Sequence, residues 1–444
     1  MSKRQIVLSE TLAKARYLVR ATLGNETGTS VKGVLCGVFL PERLADPIKL
    51  HFQPTRKQVI GVNFARFSSH STSLSFKATM RYGGRRITFS ASKIWCSNTS
   101  EGHHDGIHFV TDFTAEPADF RILKFGLTKG SPPGGTFSLT PNALINTAMT
   151  VMRSYTGSVK VRRICRPRFT LRSGIRLAFT EHFRYRDSHE GETISSAELV
   201  AEFTPTRKFS GIDACREDLD NLLLLTSFAA RHRCVCMDWS YSNRRGDIVE
   251  HYRRDIVTPK EKKISRDDAL VSMAEFPRFI RVAYRNFSKF KEKDQFRSAL
   301  YPLINDAEKT TEMSYFSLFS ALESALLFAD RTFNLFRKKG HQSLHERWRL
   351  FQTKYAVDAS DLWPIIDDTG GVTLTQLRNK VAHGEYLDPA QTLALLYARE
   401  HLRWTVERVL LSLLGWPISS SKVSSSSLGR LYPYLDWSQA RTAF

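Results

Sequence analysis

Three side chains near the end of the chain, Arg378, Asn379 and His383, have types and a spacing that could cleave a phosphodiester bond. They lie in the segment RNKVAHG, and the pattern LTQLRNKVAH predicts a helix that Gly384 ends. Because Asn379 and His383 are four residues apart, they share one face of that helix, while Arg378 lies about 100° around it. The long arginine side chain can still bring its guanidinium to the same place.

An imidazole, a guanidinium and an amide in one place suit the cleavage of RNA. His383 could act as general acid or base toward a ribose 2′-hydroxyl or the leaving oxygen. Arg378 could bind the phosphate and stabilise the charge of the transition state, and Asn379 could orient His383. No carboxylate cluster for Mg²⁺ accompanies them in the sequence, so attack by the 2′-hydroxyl without metal or cofactor is the simplest mechanism. The alternative is an ordinary helix end, because an Arg and a His at this spacing also occur by chance.

Glu323 is a candidate support for Arg378. It lies in the run YFSLFSALESALLF, and its helical neighbours are apolar, namely Phe316, Phe319, Leu326 and Leu327. A carboxylate on such a face is expected to be buried and therefore to need a partner. We predict that Glu323 fixes the guanidinium of Arg378. The alternative is that Glu323 reaches solvent or pairs with another arginine.

The motif RNKVAHG, set between two helices and preceded by an apolar helix with Ala321-Leu322-Glu323, resembles the HEPN domain. The resemblance covers about residues 265–415. It implies a small helical bundle in which Arg378 and His383 form a metal-independent endoribonuclease site, with Asn379 following the arginine as in many members. HEPN sites commonly form across a two-fold axis, so the resemblance also implies a homodimer.

The resemblance extends to the Apea-like HEPN group, where an ALE segment and RNxxAHG recur behind a β-rich N-terminal domain. Members are bacterial anti-phage proteins of the abortive-infection type. The resemblance therefore implies a toxin whose N-terminal domain restrains it until a phage-derived trigger binds. Its substrate would be cellular RNA, with tRNA as one candidate. Two other functions stay open: a non-catalytic bundle that dimerises or binds RNA, and a β-sandwich recognition protein with a structural bundle.

The chain that must position these residues is predicted to be an α+β multidomain protein. Residues 1–257 are expected to form a β-rich, sandwich-like sensor domain, because short runs of Val, Ile, Phe and Thr recur between turn signals. One helix is predicted at 213–231. Helical periodicity then defines a bundle over 258–417, whose last helix opens at Asp388-Pro389. The Ser-rich tail, 418–444, is expected to be mobile, although LYPYLDW could dock back.

Charge supports an anionic partner. Lys and Arg outnumber Asp and Glu by 65 to 44, a net charge of +21. Residues 120–180 contain no acid, so this stretch should attract polyanions such as RNA, unless it is only a solvated basic face. The RNA-binding candidates within it are Arg162, Arg163, Arg166 and Arg168.

Other sequence features argue against a membrane or metal protein. No apolar run approaches the roughly 20 residues that span a bilayer, and the first 20 residues carry scattered charges without the apolar core or the cleavage site of a signal peptide. Six scattered cysteines without a CxxC pair predict reduced thiols in a cytoplasmic protein. Cys234-x-Cys236 with His232 lacks zinc-ligand spacing, and two alternate strand positions explain it better.

Overall fold

A computed structural model describes most of the chain, namely residues 19–24, 30–39, 49–54, 74–82, 85–104, 107–124, 134–140, 142, 144–145, 149–153, 159–163, 168–187, 193–242, 248–254, 268–304, 310–333, 343–366, 370–383, 387–431 and 437–444. Contacts divide the chain into two compact units. The first comprises 1–141, 147–219 and 235–261, and the second comprises 142–146, 220–234 and 262–444. The expected boundary after 257 lies close to the last division. Two short earlier segments, however, also belong to the second unit.

The first unit is built from antiparallel strands. In chain order the described strands are β1 (Val19–Gly24), β2 (Ser30–Phe39), β3 (Lys49–Pro54), β4 (Leu74–Tyr82), β5 (Arg85–His104), β6 (Ile107–Lys124), β7 (Gly134–Leu139), β8 (Met149–Arg153), β9 (Val159–Arg163), β10 (Arg168–Thr170), β11 (Ile175–Asp187), β12 (Thr193–Pro205), β13 (Cys236–Ser242) and β14 (Ile248–Arg254). Among the described strands, β8 and β9 pair only with each other. The other twelve form one sheet.

The order of that sheet is β10-β11-β12-β7-β13-β14-β6-β3-β2-β1-β4-β5, with a further pairing of β5 to β6. Strand β6 pairs with β5 along its length. Its other edge is shared, because Phe113 to Ala115 pair with β3 and Asp119 to Leu123 pair with β14. These pairings join β1 to β6 in a closed ring, and β6 connects the ring to the remaining strands.

Buried and more exposed residues alternate over 175–178 of β11 and 201–204 of β12, so one face of these strands is buried, and Phe137 and Leu139 of β7 are buried as well. Phe137 stacks on Phe203 with ring centroids 4.8 Å apart, and Phe169 meets Phe179 edge to face at 5.7 Å. Helix α1 (Ile212–Ala230) closely matches the predicted helix. The contact division falls inside α1, between residues 219 and 220.

The second unit is helical. Its helices after α1 are α2 (Phe276–Phe287), α3 (Lys293–Ile304), α4 (Thr311–Phe333), α5 (Leu344–Tyr355), α6 (Leu374–Ala382), α7 (Pro389–Leu413), α8 (Ser425–Leu431) and α9 (Trp437–Ala440). Helix α4 packs against α3 and α7. The predicted start at Asp388 is confirmed, since its carboxylate accepts a hydrogen bond of 2.8 Å from the Gln391 N–H. Within the described residues, none of the helices has the length and apolar character needed to cross a bilayer.

The segment after residue 417 is folded, which corrects the expectation of a mobile tail for the described residues. Val423 and Leu428 are buried. The Nε of Arg408 on α7 donates a 2.8 Å hydrogen bond to the Val423 carbonyl. Trp437 on α9 lies against His401 of α7, with ring centroids 6.5 Å apart. Serine hydroxyls in this segment form hydrogen bonds with nearby backbone groups at turns and at a helix start, so the density of serines reflects local hydrogen bonding and does not indicate disorder.

Candidate functional site

Helix α6 carries the RNKVAH residues and is anchored by its first turn. A reciprocal capping box opens it: the Thr373 Oγ1 accepts from the Gln376 N–H at 3.3 Å, and the Gln376 side chain accepts from the Thr373 N–H at 2.9 Å. The hydroxyl of Tyr315 on α4 donates a 2.6 Å hydrogen bond to the Leu374 carbonyl. Leu374 and Leu377 are fully buried, so the apolar face of α6 points into the bundle.

A second set of hydrogen bonds holds α6 to the segment before it. The Leu374 N–H donates to the Pro364 carbonyl at 2.9 Å, and the Thr375 N–H donates to the Ile365 carbonyl at 3.1 Å. The Trp363 indole N–H donates to the Val372 carbonyl at 2.7 Å. Sequence reasoning did not assign a role to this segment. It positions the start of the helix that carries the motif.

Arg378 is half-buried between α6 and α4. Its guanidinium carbon lies 5.8 Å from the centroid of the Phe319 ring, which is a cation–π distance. Its Nη1 donates a 3.2 Å hydrogen bond to the Asn379 Oδ1. The structure therefore brings Arg378 and Asn379 together, as the helix spacing suggested, and it adds Phe319 as a contact that the sequence analysis had not identified.

Asn379 and His383 are both exposed. The backbone N–H of His383 donates to the Asn379 carbonyl at 3.1 Å and to the Lys380 carbonyl at 3.2 Å. The helix ends at this point, with His383 at φ −81° and ψ 0°. These bonds place His383 one helical turn beyond Asn379 on the same side of α6. Gly384, the predicted helix terminator, lies outside the described residues.

The expectation of a buried Glu323 is corrected, because this residue is half-buried. It lies one turn after Phe319 on α4, the ring that Arg378 covers. In the part of the chain that the structure describes, no ion pair joins Glu323 to Arg378. The apolar surroundings that suggested burial contain both buried and half-buried residues: Phe319 and Leu326 are buried, whereas Phe316 and Leu327 are half-buried.

Glu407 on α7 is a fully buried carboxylate, with 0% exposure. It accepts hydrogen bonds from both the Nε and the Nη2 of Arg231, the former at 2.7 Å, and from the Arg403 Nε at 3.4 Å. Arg231 follows α1 and adopts the left-handed conformation, with φ 52°. A buried charge requires such partners, and here Arg403 lies one turn away on the same helix whereas Arg231 comes from a distant part of the sequence.

A second ion pair supports the segment that anchors α6. The guanidinium of the buried Arg408 donates to both carboxylate oxygens of Asp361, at 2.6 and 2.7 Å, and to the Asp358 carbonyl at 2.7 Å. Burial alone would raise the pKa of Asp361, but the hydrogen bonds and positive charge of Arg408, together with a hydrogen bond from Ser425, outweigh it and the pKa is lowered. Nearby, burial lowers the pKa of His401 to about 4, so this imidazole is neutral at neutral pH. The Nδ1 of His401 accepts a 3.3 Å hydrogen bond from the backbone N–H of Trp363.

The basic candidates lie on short strands of the first unit. Arg162 and Arg163 end β9 and pair with Thr150 and Met149 of β8. Arg168 begins β10 and is exposed, on the same face as the exposed Arg176 of β11. Arg166 lies outside the described residues. This stretch is therefore cationic at two hairpins, and one exposed face presents Arg168 and Arg176 together.

Cys234 and Cys236 are both buried, and of the two only Cys236 lies in a strand, at the start of β13. The prediction that both cysteines lie in a strand is therefore wrong for Cys234, which precedes β13, and confirmed for Cys236. Across the described residues, no group of three or more His, Cys, Asp or Glu side chains is placed to hold a metal ion.

Comparison with known proteins identifies no family for the chain. No protein-family model matches it, and no curated protein matches it. A solved structure titled "pT26-6p" aligns over 96% of this chain and 81% of its own, with 9% identity and a TM-score of 0.14. A similarity at this level carries no inference about the fold or the function of the chain.

Proposed function

We propose that the helical unit is a HEPN-type endoribonuclease that cleaves RNA by attack of a ribose 2′-hydroxyl, without a metal or another cofactor. The observation that carries this proposal is the arrangement on α6. The Arg378 guanidinium is held at Asn379, and Asn379 and His383 lie exposed one turn apart on the same side of the helix. In this proposal His383 is the proton-transfer group and Arg378 is the phosphate-binding group, and both lie near the same end of α6.

In this mechanism each side chain has a separate role. His383 removes the proton from the 2′-hydroxyl or delivers one to the leaving 5′-oxygen. Arg378 uses one N–H on Asn379, and the N–H groups that remain can bind the phosphate oxygens. The 2′-oxygen bonds to phosphorus and the 5′-oxygen leaves, which produces a 2′,3′-cyclic phosphate and a 5′-hydroxyl. An in-line displacement needs an acid and a base on opposite sides, so we propose that a second copy of the site, in a homodimer, provides the other histidine.

The remaining parts of the proposal concern biological context. In this proposal the β-rich unit senses a phage-derived trigger and restrains the cytoplasmic enzyme until infection. The exposed Arg168 and Arg176 supply a cationic face for RNA, with tRNA as one substrate candidate. Glu323 lies one turn from Phe319, the ring that Arg378 covers, and in this proposal it pairs with Arg378 in the active state.

A second function, RNA binding without cleavage, is favoured by one specific contact. Arg378 packs on Phe319, and this packing gives the arginine a structural role that needs no chemistry. The two functions differ in their dependence on His383. Cleavage requires its imidazole, whereas a binding surface would lose little when one exposed histidine is replaced.

The test incubates the full-length protein with total RNA in EDTA. Wild type is compared with His383→Ala, Arg378→Ala and the control Lys354→Ala, which removes an exposed charge on α5. We expect cleavage by wild type and by the control, and loss of cleavage in the other two variants. Cleavage that survives both substitutions contradicts the site assignment.

A restrained enzyme could be silent in that assay, so a cellular measurement accompanies it. The same four proteins are expressed in bacteria and growth is followed with and without phage infection. The proposal predicts growth arrest that requires His383 and Arg378. If cleavage of RNA and His383-dependent arrest are both absent, the ribonuclease proposal is wrong. The full-length chain is used because a fragment starting near 258 would lack Arg231, the partner of Glu407.

A further inference from the structure

One side of strands β10, β11 and β12 in the first unit carries exposed basic and hydroxyl side chains. In the antiparallel register Thr170 lies opposite Arg176, and Arg176 lies opposite Thr204. Because directly opposite residues point to the same side of a sheet, these three side chains form a row across three strands. Arg168 lies on the same side of β10, diagonal to Arg176 at about 7–8 Å. All four residues are exposed, and together they are named the arginine face.

Both arginines of this face are unpaired in the part of the chain that the structure describes, since no acceptor there binds either guanidinium. Glu202 shares a row with Arg168, but it lies two strands away and is half-buried. Two further exposed cations, Arg207 and Lys208, follow β12. An unpaired guanidinium keeps all of its N–H groups for an external anion.

Hydrogen bonds fix the hairpin that joins β10 to β11 and hold the loop after β12 against it. The Gly174 carbonyl accepts from the Thr206 N–H at 2.7 Å and from the Thr206 hydroxyl at 2.8 Å. The Ser173 N–H donates to the Asp218 carboxylate at 2.6 Å. Gly174 has φ +82°, and a Cβ there would lie 2.3 Å from the Lys208 backbone, so this loop packs directly on the hairpin. The cations are therefore presented on a preformed surface, which lowers the cost of ordering on binding.

The aromatic residues of the same strands lie on the opposite, buried side. Phe169, Phe179 and Phe203 are each at most 9% exposed. The arginine face therefore offers guanidinium and hydroxyl groups, which commonly bind phosphate oxygens, and its four residues provide no ring for stacking an unpaired base. A base-paired stem exposes its phosphates and keeps its bases stacked inside. Such a stem matches the chemistry of this face better than a single strand does.

We propose that the arginine face binds the sugar–phosphate backbone of a base-paired RNA stem. Arg168 and Arg176 bind phosphate oxygens, and the hydroxyls of Thr170 and Thr204 donate to neighbouring phosphate or ribose oxygens. Recognition is independent of base sequence, because none of these groups reaches into the stacked bases. The choice of RNA as the nucleic acid rests on the proposed function. The face itself belongs to the first unit and takes no part in the chemistry of α6, so binding alone tests it.

The experiment measures the fluorescence anisotropy of a labelled duplex of 2′-O-methyl RNA, which attack by a 2′-hydroxyl cannot cleave, with the full-length protein. We expect saturable binding, with an association constant that falls linearly with salt concentration on logarithmic axes. Arg168→Ala and Arg176→Ala should each reduce the steepness of that line by about 1. The double variant should bind the duplex more weakly by about tenfold or more. Arg176→Lys retains the charge and should retain the salt dependence.

Arg281→Ala serves as the matched control. Arg281 is also an exposed arginine, but it lies on α2 of the second unit, and its Nε donates to the Pro277 carbonyl of the same helix at 3.0 Å. This variant should bind the duplex with the affinity and the salt dependence of wild type. If Arg281→Ala loses as much affinity as Arg176→Ala, net charge alone explains the binding and the proposal is wrong.

Three other results would overturn the proposal. The first is a salt dependence that stays unchanged in both Arg168→Ala and Arg176→Ala. The second is tighter binding of a single strand of the same length than of the duplex. The third is displacement of the labelled duplex by polyglutamate as effectively as by unlabelled duplex, which would assign the face to an acidic protein. None of these measurements depends on cleavage, so this proposal and the proposed ribonuclease activity fail separately.

Discussion

Replacing Asp361 with alanine removes the only carboxylate that contacts Arg408 among the described residues. The guanidinium of Arg408 is 1% exposed, whereas Asp361 retains 28% exposure. In the variant, Arg408 stays buried and charged. It keeps two carbonyl acceptors, those of Val423 and Asp358, and loses both hydrogen bonds to Asp361.

The size of the effect follows from what remains. Removing one partner of a buried ion pair costs about 3–5 kcal/mol, because the other charge is left uncompensated. The two remaining carbonyl acceptors satisfy part of the guanidinium, so we expect the lower end of that range, about 3 kcal/mol of unfolding free energy. The affected region includes segment 357–366, which anchors α6.

The assay is urea denaturation of the full-length protein, followed by tryptophan fluorescence, since Trp348 and Trp363 are buried next to this segment. Asp294→Ala is the control. Asp294 also pairs with an arginine, Arg297, but it is 92% exposed, so its loss should cost at most about 0.5 kcal/mol. If the two variants differ by less than that amount, the account of the buried pair is wrong.

The same pair predicts a pH dependence. The pKa of Asp361 is lowered in the folded protein, so its contribution is fully present above the pKa of the unfolded chain. The contribution is lost as the pH falls through the lower, folded pKa. The difference between wild type and Asp361→Ala should therefore be largest at neutral pH and shrink below about pH 4. A difference that grows on acidification would contradict this reasoning.

Three further predictions concern the surrounding bundle. Burial lowers the pKa of His401 to about 4, so on acidification the unfolded chain binds a proton at this histidine before the folded chain does. The free energy of unfolding should therefore fall between about pH 6.5 and pH 4, by at most about 3 kcal/mol. The His401→Asn variant should lose this pH dependence of the urea midpoint, and an unchanged pH dependence would assign it to other groups. Tyr315→Phe removes the hydrogen bond to the Leu374 carbonyl and should cost about 1 kcal/mol. Amide exchange over 374–378 should then accelerate, and unchanged exchange would show that the bond does not hold α6. A fragment of residues 258–444 leaves Glu407 without Arg231. Circular dichroism should show that this fragment unfolds more readily than the same fragment carrying Glu407→Leu, because the buried carboxylate has lost its partner. Equal stability of the two fragments would mean that Glu407 does not need Arg231.

Features of the sequence that act locally predicted the structure well. Asp388-Pro389 identified the start of α7, because a cap and a first-turn proline act within a few residues. The positions of α1, α4 and α6 followed from helical periodicity. The expected α+β organisation agrees with the antiparallel sheet and the helical C-terminal region.

Features that depend on distant packing were not predictable in this way. Glu323 and Glu407 both lie in apolar helical runs, yet only Glu407 is fully buried. The difference depends on which helix faces meet, and Arg231 is far from Glu407 in sequence. The density of serines after residue 417 suggested a mobile tail. Composition does not reveal contacts with distant residues, such as the hydrogen bond that Arg408 donates to the Val423 carbonyl. The pairing of β7 with both β12 and β13 likewise joins strands that are far apart in the chain.

The chemistry of the RNA ends tests the central claim most directly. Full-length protein and the His383→Ala variant are incubated with total RNA in EDTA, and the new ends are identified. Attack by the 2′-hydroxyl predicts 2′,3′-cyclic phosphates paired with 5′-hydroxyls in the wild-type reaction and neither in the variant reaction. New ends bearing 3′-hydroxyls and 5′-phosphates, or cyclic phosphates that persist in His383→Ala, would contradict the assignment of His383 as the proton-transfer group of this site.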